Sequence, residues 1–206
     1  MRTCPVCVVA AASLVGIAGL AFMGGAGEAV AAAPAAAPAA AAEPFAVDAM
    51  HSSVIFRIKH LNVSYFYGRF NKVAGSFKLD GDASSLDITV DADSVDSNSA
   101  DRDKHIKSQD FFSVKEFPSI TFKSKSAKKI DGDKIEFTGD LTFRGVTKSV
   151  TVKVTPTGEG PGMRGGTVAG IETVLVINRS DYGMNYMPKA LGEDVTLYIG
   201  LEGARK

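Results

Sequence analysis

The sequence predicts an all-β fold, about eight strands closed into an antiparallel barrel, with one short helix near residues 99–108. Three observations predict it. Apolar residues fall on every second position in stretch after stretch from Val54 to Leu201, and a period of two puts them on one face of a strand. The stretches are joined mostly by short turn-forming segments, which demand antiparallel neighbours. Strands with one dry face must also share an interior. A sandwich would satisfy that pattern too, but eight strands suits a barrel that either fills with its own side chains or holds one small ligand.

The elements follow in chain order. Residues 1–31 read as a secretory signal peptide. Met1-Arg2 is a short basic start, Val6–Phe22 is mostly apolar, and Gly27-Glu28-Ala29 and Ala29-Val30-Ala31 resemble cleavage sites. A retained anchor is the alternative, since the run is nearly long enough to span a bilayer. Cys4 and Cys7 both fall in this leader, so the mature chain is expected to lack cysteine. Residues 32–43 are alanine broken by Pro34 and Pro38 and read as a linker. Residues 44–206 form the folded domain.

Within that domain Ser53–His60 is a strand with Val54, Phe56 and Ile58 on one face. The period is lost over Leu61–Tyr67, which reads as a turn or helical turn. It resumes over Gly68–Asp80, with a change of phase between Phe70 and Val73 that suggests a bulge. Leu86–Ala92 is the next strand. Ser97–Ser108 is the helix, with serine and asparagine before it and Asp101 and Asp103 in its first turn. Phe111, Phe112 and Phe117 lie outside any clean strand and suggest a loop folded inward. Strands then start at Ile120, span Lys134–Phe143 and span Lys148–Thr157. Gly158–Gly166 reads as a loop, Thr167–Asn178 as a long strand apolar on both faces over Ile171–Ile177, and Arg179–Gly192 as irregular. Asp194–Glu202 closes the domain.

Composition excludes several functions. Lysine plus arginine equal aspartate plus glutamate at 23 each, there is no tryptophan, and no basic stripe is present, so nucleic acid is not an expected partner. Lys123, Lys125, Lys128 and Lys129 read as a solvated strand edge. No G-x-S-x-G, H-E-x-x-H or P-loop occurs, and no enzyme activity is expected. His51, His60 and His105 lie at no short ligand spacing, so no metal and no cofactor are expected. Asn62-Val63-Ser64 and Asn178-Arg179-Ser180 match the glycosylation pattern, in a host the sequence does not reveal.

An ordered set of blocks carries a family resemblance. The set comprises His51-Ser52, Phe56, His60 and Gly68-x-Phe70; Arg102-Asp103-Lys104-His105-Ile106 with Ser108; Asp110-Phe111-Phe112 leading to Phe117-Pro118; Gly139-x-Leu141-Thr142 with Gly145-Val146-Thr147; and Arg179-Ser180-Asp181-Tyr182-Gly183-Met184. Together they resemble the YceI-like polyisoprenoid-binding family over nearly all of Phe45–Glu202. The resemblance implies a lipocalin-like barrel, often exported, with a long apolar tunnel for an isoprenoid or other amphiphilic lipid chain. Phe56, His60, Phe70, Phe77, Arg102, His105, Phe111, Phe112, Phe122, Phe137, Phe143, Arg179, Asp181 and Tyr182 are the expected lining or mouth.

Each has a plainer reading as well. The phenylalanines serve equally as filled core, Arg102 as the partner of Asp103, and Arg179 with Asp181 as a pin for the irregular segment. The expected partners are an amphiphilic lipid, a membrane-associated donor or acceptor of it, and a second copy of the chain paired through Ile171–Ile177. The expected location is periplasmic or secreted. The competing readings are an interaction or stress protein with a filled barrel and, behind it, a lipid-modifying enzyme.

Overall fold

A computed structural model describes residues 43–206. The leader expected over 1–31 and all but the last residue of the linker expected over 32–43 lie outside the described residues. The elements are β1 (Phe45–Val47), β2 (Ser53–His60), β3 (Ser64–Phe70), β4 (Val73–Lys78), β5 (Ser85–Asp91), β6 (Val95–Asp96), α1 (Ala100–Ile106), β7 (Ser119–Lys129), β8 (Ile135–Phe143), β9 (Val146–Pro161), β10 (Thr167–Asn178) and β11 (Leu191–Arg205). The three short N-terminal pairs act as interrupted strands. β1 and β2 both lie against β11, β3 pairs β2 while β4 pairs β1, and β6 and β5 continue the same row. Counted this way, eight antiparallel strands close into a barrel, with β5–β7 and β1–β11 completing the ring.

Closure explains the alternation. Inward rows such as Val54-Phe56, Leu86-Ile88-Val90 and Ile135-Phe137-Leu141-Phe143 are buried, while their in-between neighbours face water. The closed barrel also changes one expectation. β7 is no edge strand over its first half, because it pairs β5 as far as Lys123–Asp87. Lys125, Lys128 and Lys129 lie where β7 has run past β5 and pairs only β8, so the edge reading holds for these three.

Several boundaries differ from the sequence reading. Ser64–Tyr67 is strand, not turn; the hairpin needs only Leu61–Val63. Its inward row is Ser64, Phe66, Gly68 and Phe70, and the polar Ser64 and the bare Gly68 leave the period unmarked. The helix is shorter than expected because Ser97, buried, is spent on a loop contact to Asp103. β9 runs on to Pro161, past Gly158 at φ 154°, so the loop shrinks to Gly162–Gly166. The pairing of β9 with β10 stops at Thr155–Glu172, leaving Thr173–Asn178 laddered only to β11.

One end of the barrel is stoppered. Phe45 and Phe77, both fully buried, stack at 5.4 Å, and Arg205 lies over the Phe45 ring. At the other end the β2–β3 turn, α1 with residues 107–118, and the 179–190 segment meet. That end holds the site.

Candidate functional site

The rows of inward side chains do not fill the barrel. They enclose a cavity of about 470 Å³, within the usual range for small-ligand sites. Its lining reaches from Val54 to His60 on β2 and from Ile171 to Ile177 on β10, roughly 20 Å along a strand. The deep part is hydrocarbon: Leu86, Ile88, Val152, Val154, Ile171 and Leu201. Polar or exposed lining at the open end is His60, Ser64, Tyr65, Arg102, His105 and Met187, and Thr121, Glu172 and Thr173 are polar residues further along the wall.

The sequence-predicted residues divide between this lining and its supports. Phe56, His60, Phe70, Arg102, His105, Phe111, Phe112, Phe122, Phe143 and Arg179 line the cavity. Phe77, Phe137, Asp181 and Tyr182 do not. Phe77 and Phe137 are buried in the closed end. Tyr182 is buried behind Phe143 at 5.8 Å, and burial, with Asp181 adding to it, raises its phenol above the ordinary 10.0. Asp181 is on the surface and pairs with Lys148 at 2.8 Å.

Most of the lining was not singled out from the sequence. It is the aliphatic set, among it Ile58, Leu175, Ile177, Val195, Leu197 and Ile199. The alternation carried that signal all along, since any inward β position near the open half faces the cavity.

Aromatic packing shapes the mouth. Phe112 folds inward, as expected, and bridges Phe70 at 5.6 Å and Phe143 at 5.2 Å. His105, Phe111 and Tyr186 form an edge-to-face triangle with centroids 5.1–5.4 Å apart. His105 also meets Asp110 through Nε2 at 2.8 Å. Arg144, which sequence reasoning passed over, ties the two flanking segments together by donating to Gly183 O and Gln109 O.

The two arginines behave differently. Arg179 is only 2% exposed, yet its guanidinium is fully occupied. It donates to the carbonyls of Met184, Tyr186, Leu191 and Gly192 and to Glu193 Oε1 at 3.1 Å, while Glu193 also takes the Ser180 hydroxyl. It pins the irregular segment, as the plainer reading had it, but with Glu193 rather than Asp181. Arg102 is exposed at the rim. It lies over the Phe66 ring at 4.4 Å and donates to Ser97 Oγ and O, and no carboxylate of the described residues forms a salt bridge with it. Its expected pairing with Asp103 is indirect, through Ser97.

Asp48, His51 and Glu202 sit together on the outer surface, away from the cavity, and their ligand atoms lie close enough to hold an ion. His51 Nδ1 is 2.8 Å from Asp48 Oδ2 and 3.7 Å from Glu202 Oε1. The hydrogen bond raises the His51 pKa and lowers that of Asp48. All three are well solvated and satisfy one another, an arrangement that stands as an ordinary surface network.

Comparison with known proteins places this architecture. A family model described as the YceI-like domain matches residues 45–203, the whole barrel. The chain belongs to the YceI-like family. Protein YceI of Escherichia coli O157:H7 is 37% identical over 197 residues, covering 94% of this chain and 98% of that protein. Among solved structures, Burkholderia cenocepacia BcnA superposes with a TM-score of 0.71 at 25% identity, over 77% of this chain and 99% of that one. A polyisoprenoid binding domain from Saccharophagus degradans superposes at 0.59 with 14% identity, over 78% and 98%, and shares the fold. Of the blocks read from the sequence, those holding His60, Arg102, His105, Phe111, Phe112 and Arg179 contribute to the cavity lining, while His51 lies away from it.

Proposed function

We propose that this protein is an exported, non-enzymatic carrier that holds the chain of a polyisoprenoid or similar amphiphilic lipid inside its barrel. The observation that carries the reading is the cavity itself: about 470 Å³, largely apolar along its depth and polar at one end. A tail placed there gains about 0.8 kcal/mol for each CH₂ taken from water. The polar rim around His60, Arg102 and His105 suits a head group held at the surface. The Saccharophagus degradans domain of the same fold is described as polyisoprenoid-binding, and membership of the YceI-like family supports a binding role rather than catalysis. A filled barrel acting only through its surface fits less well, because the inward rows leave this space open.

The leader over residues 1–31 supports export to the periplasm or beyond, and a membrane-associated donor or acceptor follows from cargo of this kind. A second copy would pair through the outward valines of Ile171–Ile177, Val174 and Val176, which are 60% and 55% exposed. Organic extraction of the purified protein followed by mass spectrometry tests the reading. Co-purified prenyl or fatty-chain lipid, or uptake of added prenyl lipid, is the expected result; a lipid-free extract with no uptake overturns it.

A further inference from the structure

Apolar residues are unevenly distributed over the outside of the barrel. Of the eleven large apolar residues left exposed among the described residues, Leu61, Val63, Tyr186 and Met187 lie in the two turns at the mouth, with Tyr65 beside them at the start of β3. Two short segments concentrate them. Leu61 and Val63, 55% and 80% exposed, form the tip of the β2–β3 turn. Tyr186 and Met187, 39% and 42% exposed, form the facing turn of the 179–190 segment. Leu61 N donates to Ala190 O at 2.7 Å, which holds the two tips side by side.

The backbone at these tips is costly. Leu61 has φ 50° and Met187 has φ 51°, the left-handed region that bulky side chains enter only at a price in strain. Asparagine, aspartate or glycine would suit both places better. Leu61, 55% exposed, gains little burial there within the barrel, and Met187 is only partly covered.

We propose that this end of the barrel docks on a lipid bilayer, with Leu61, Val63 and Met187 entering the head-group region. This inference rests on the lipid-carrier reading. Met187 carries it, because the same side chain is exposed at the rim and lines the cavity. A tail entering the barrel from a bilayer would meet Met187 at the rim and again on the cavity wall. Tyr65 and Tyr186 flank the tips with apolar rings and polar ends, the type found at membrane interfaces. Lys59, stacked over Tyr65, and Lys189 supply positive charge to anionic head groups.

The test uses the full chain and vesicles of phosphatidylcholine and phosphatidylglycerol. The chain has no tryptophan, so Val63→Trp gives a single reporter; its emission should shift to the blue on adding vesicles. The double variant Leu61→Asp, Val63→Asp, with aspartate tolerant of the left-handed backbone, should lose vesicle flotation by on the order of tenfold or more. It should also slow transfer of a prenyl lipid from vesicles, yet take up the same lipid from detergent like the parent. No blue shift and no flotation with detergent uptake intact overturns the docking surface and leaves the carrier reading standing. Loss of uptake from detergent in the parent itself overturns both. Self-association of the parent through these tips, abolished by the same double variant with no vesicle binding, overturns bilayer docking in favour of a second copy.

Discussion

At the scale of single residues, a few positions decide whether the interior stays open. Gly68 sits opposite Phe56, and a Cβ built there would lie 2.3 Å from the end of the Phe56 ring. Gly68→Ala must push the ring, and the free space beside it is the cavity. Overpacking of this kind costs about 1–3 kcal/mol. Urea unfolding should show that loss, and lipid uptake should fall with it. Arg179 decides a different matter. With four carbonyls accepting from one buried guanidinium, Arg179→Met leaves buried acceptors without a donor, each costing about 1–3 kcal/mol, while the solvated Glu193 loses little. Arg179→Lys should recover little, since a single ammonium cannot reproduce the planar fork. The sequence singled out Arg179 but not this distinction: a cation next to Asp181 in the chain gives no sign that its partner is Glu193.

At the scale of elements, strands with side chains on every inward position were legible and those with gaps were not. Ser53–His60 and Thr167–Asn178 have the predicted bounds because their inward residues, the terminal His60 apart, are apolar or β-branched. β3 was hidden because Ser64 and Gly68 interrupt an inward row that otherwise holds Phe66 and Phe70, and β1 and β6, at three and two residues, are too short to show a period. Their existence depends on β11, β4 and β3 lying beside them, which is tertiary information. The turn that joins β1 to β2 carries a pH-dependent contact. His51 has its pKa raised from 6.5, chiefly by the hydrogen bond to Asp48, so its contribution is present below 6.5 and fades as pH rises through the higher folded value. Asp48 is lowered from 3.8 for the same reason, so its contribution is present above 3.8 and fades as pH falls. The contact should therefore be strongest between these limits. NMR titration should place His51 above 6.5, and Asp48→Asn should return it towards that value.

At the scale of the whole molecule, alternation established a shared interior without saying whether side chains or a ligand occupy it. The same phenylalanines serve both outcomes, and the structure divides them: Phe77 and Phe137 close one end, while Phe56, Phe70, Phe112, Phe122 and Phe143 wall an open space. That division depends on strand length and on where the interrupted strands β1–β2 and β3–β4 bend, neither of which a period of two encodes. His60, Arg102 and His105 were legible at the rim only through the ordered family blocks, because isolated polar residues at element ends and on a short helix carry no apolar periodicity.

The central claim is that the open space holds one lipid chain. Native mass spectrometry with an added prenyl lipid, on the parent and on Ile199→Trp, tests it most directly. Ile199 lines the deep half of the cavity beside Val54, and an indole there would fill part of the space. The parent should bind one chain per barrel, and the folded variant should bind none or a shorter one. Equal binding by both proteins, or none by the parent, would contradict the account.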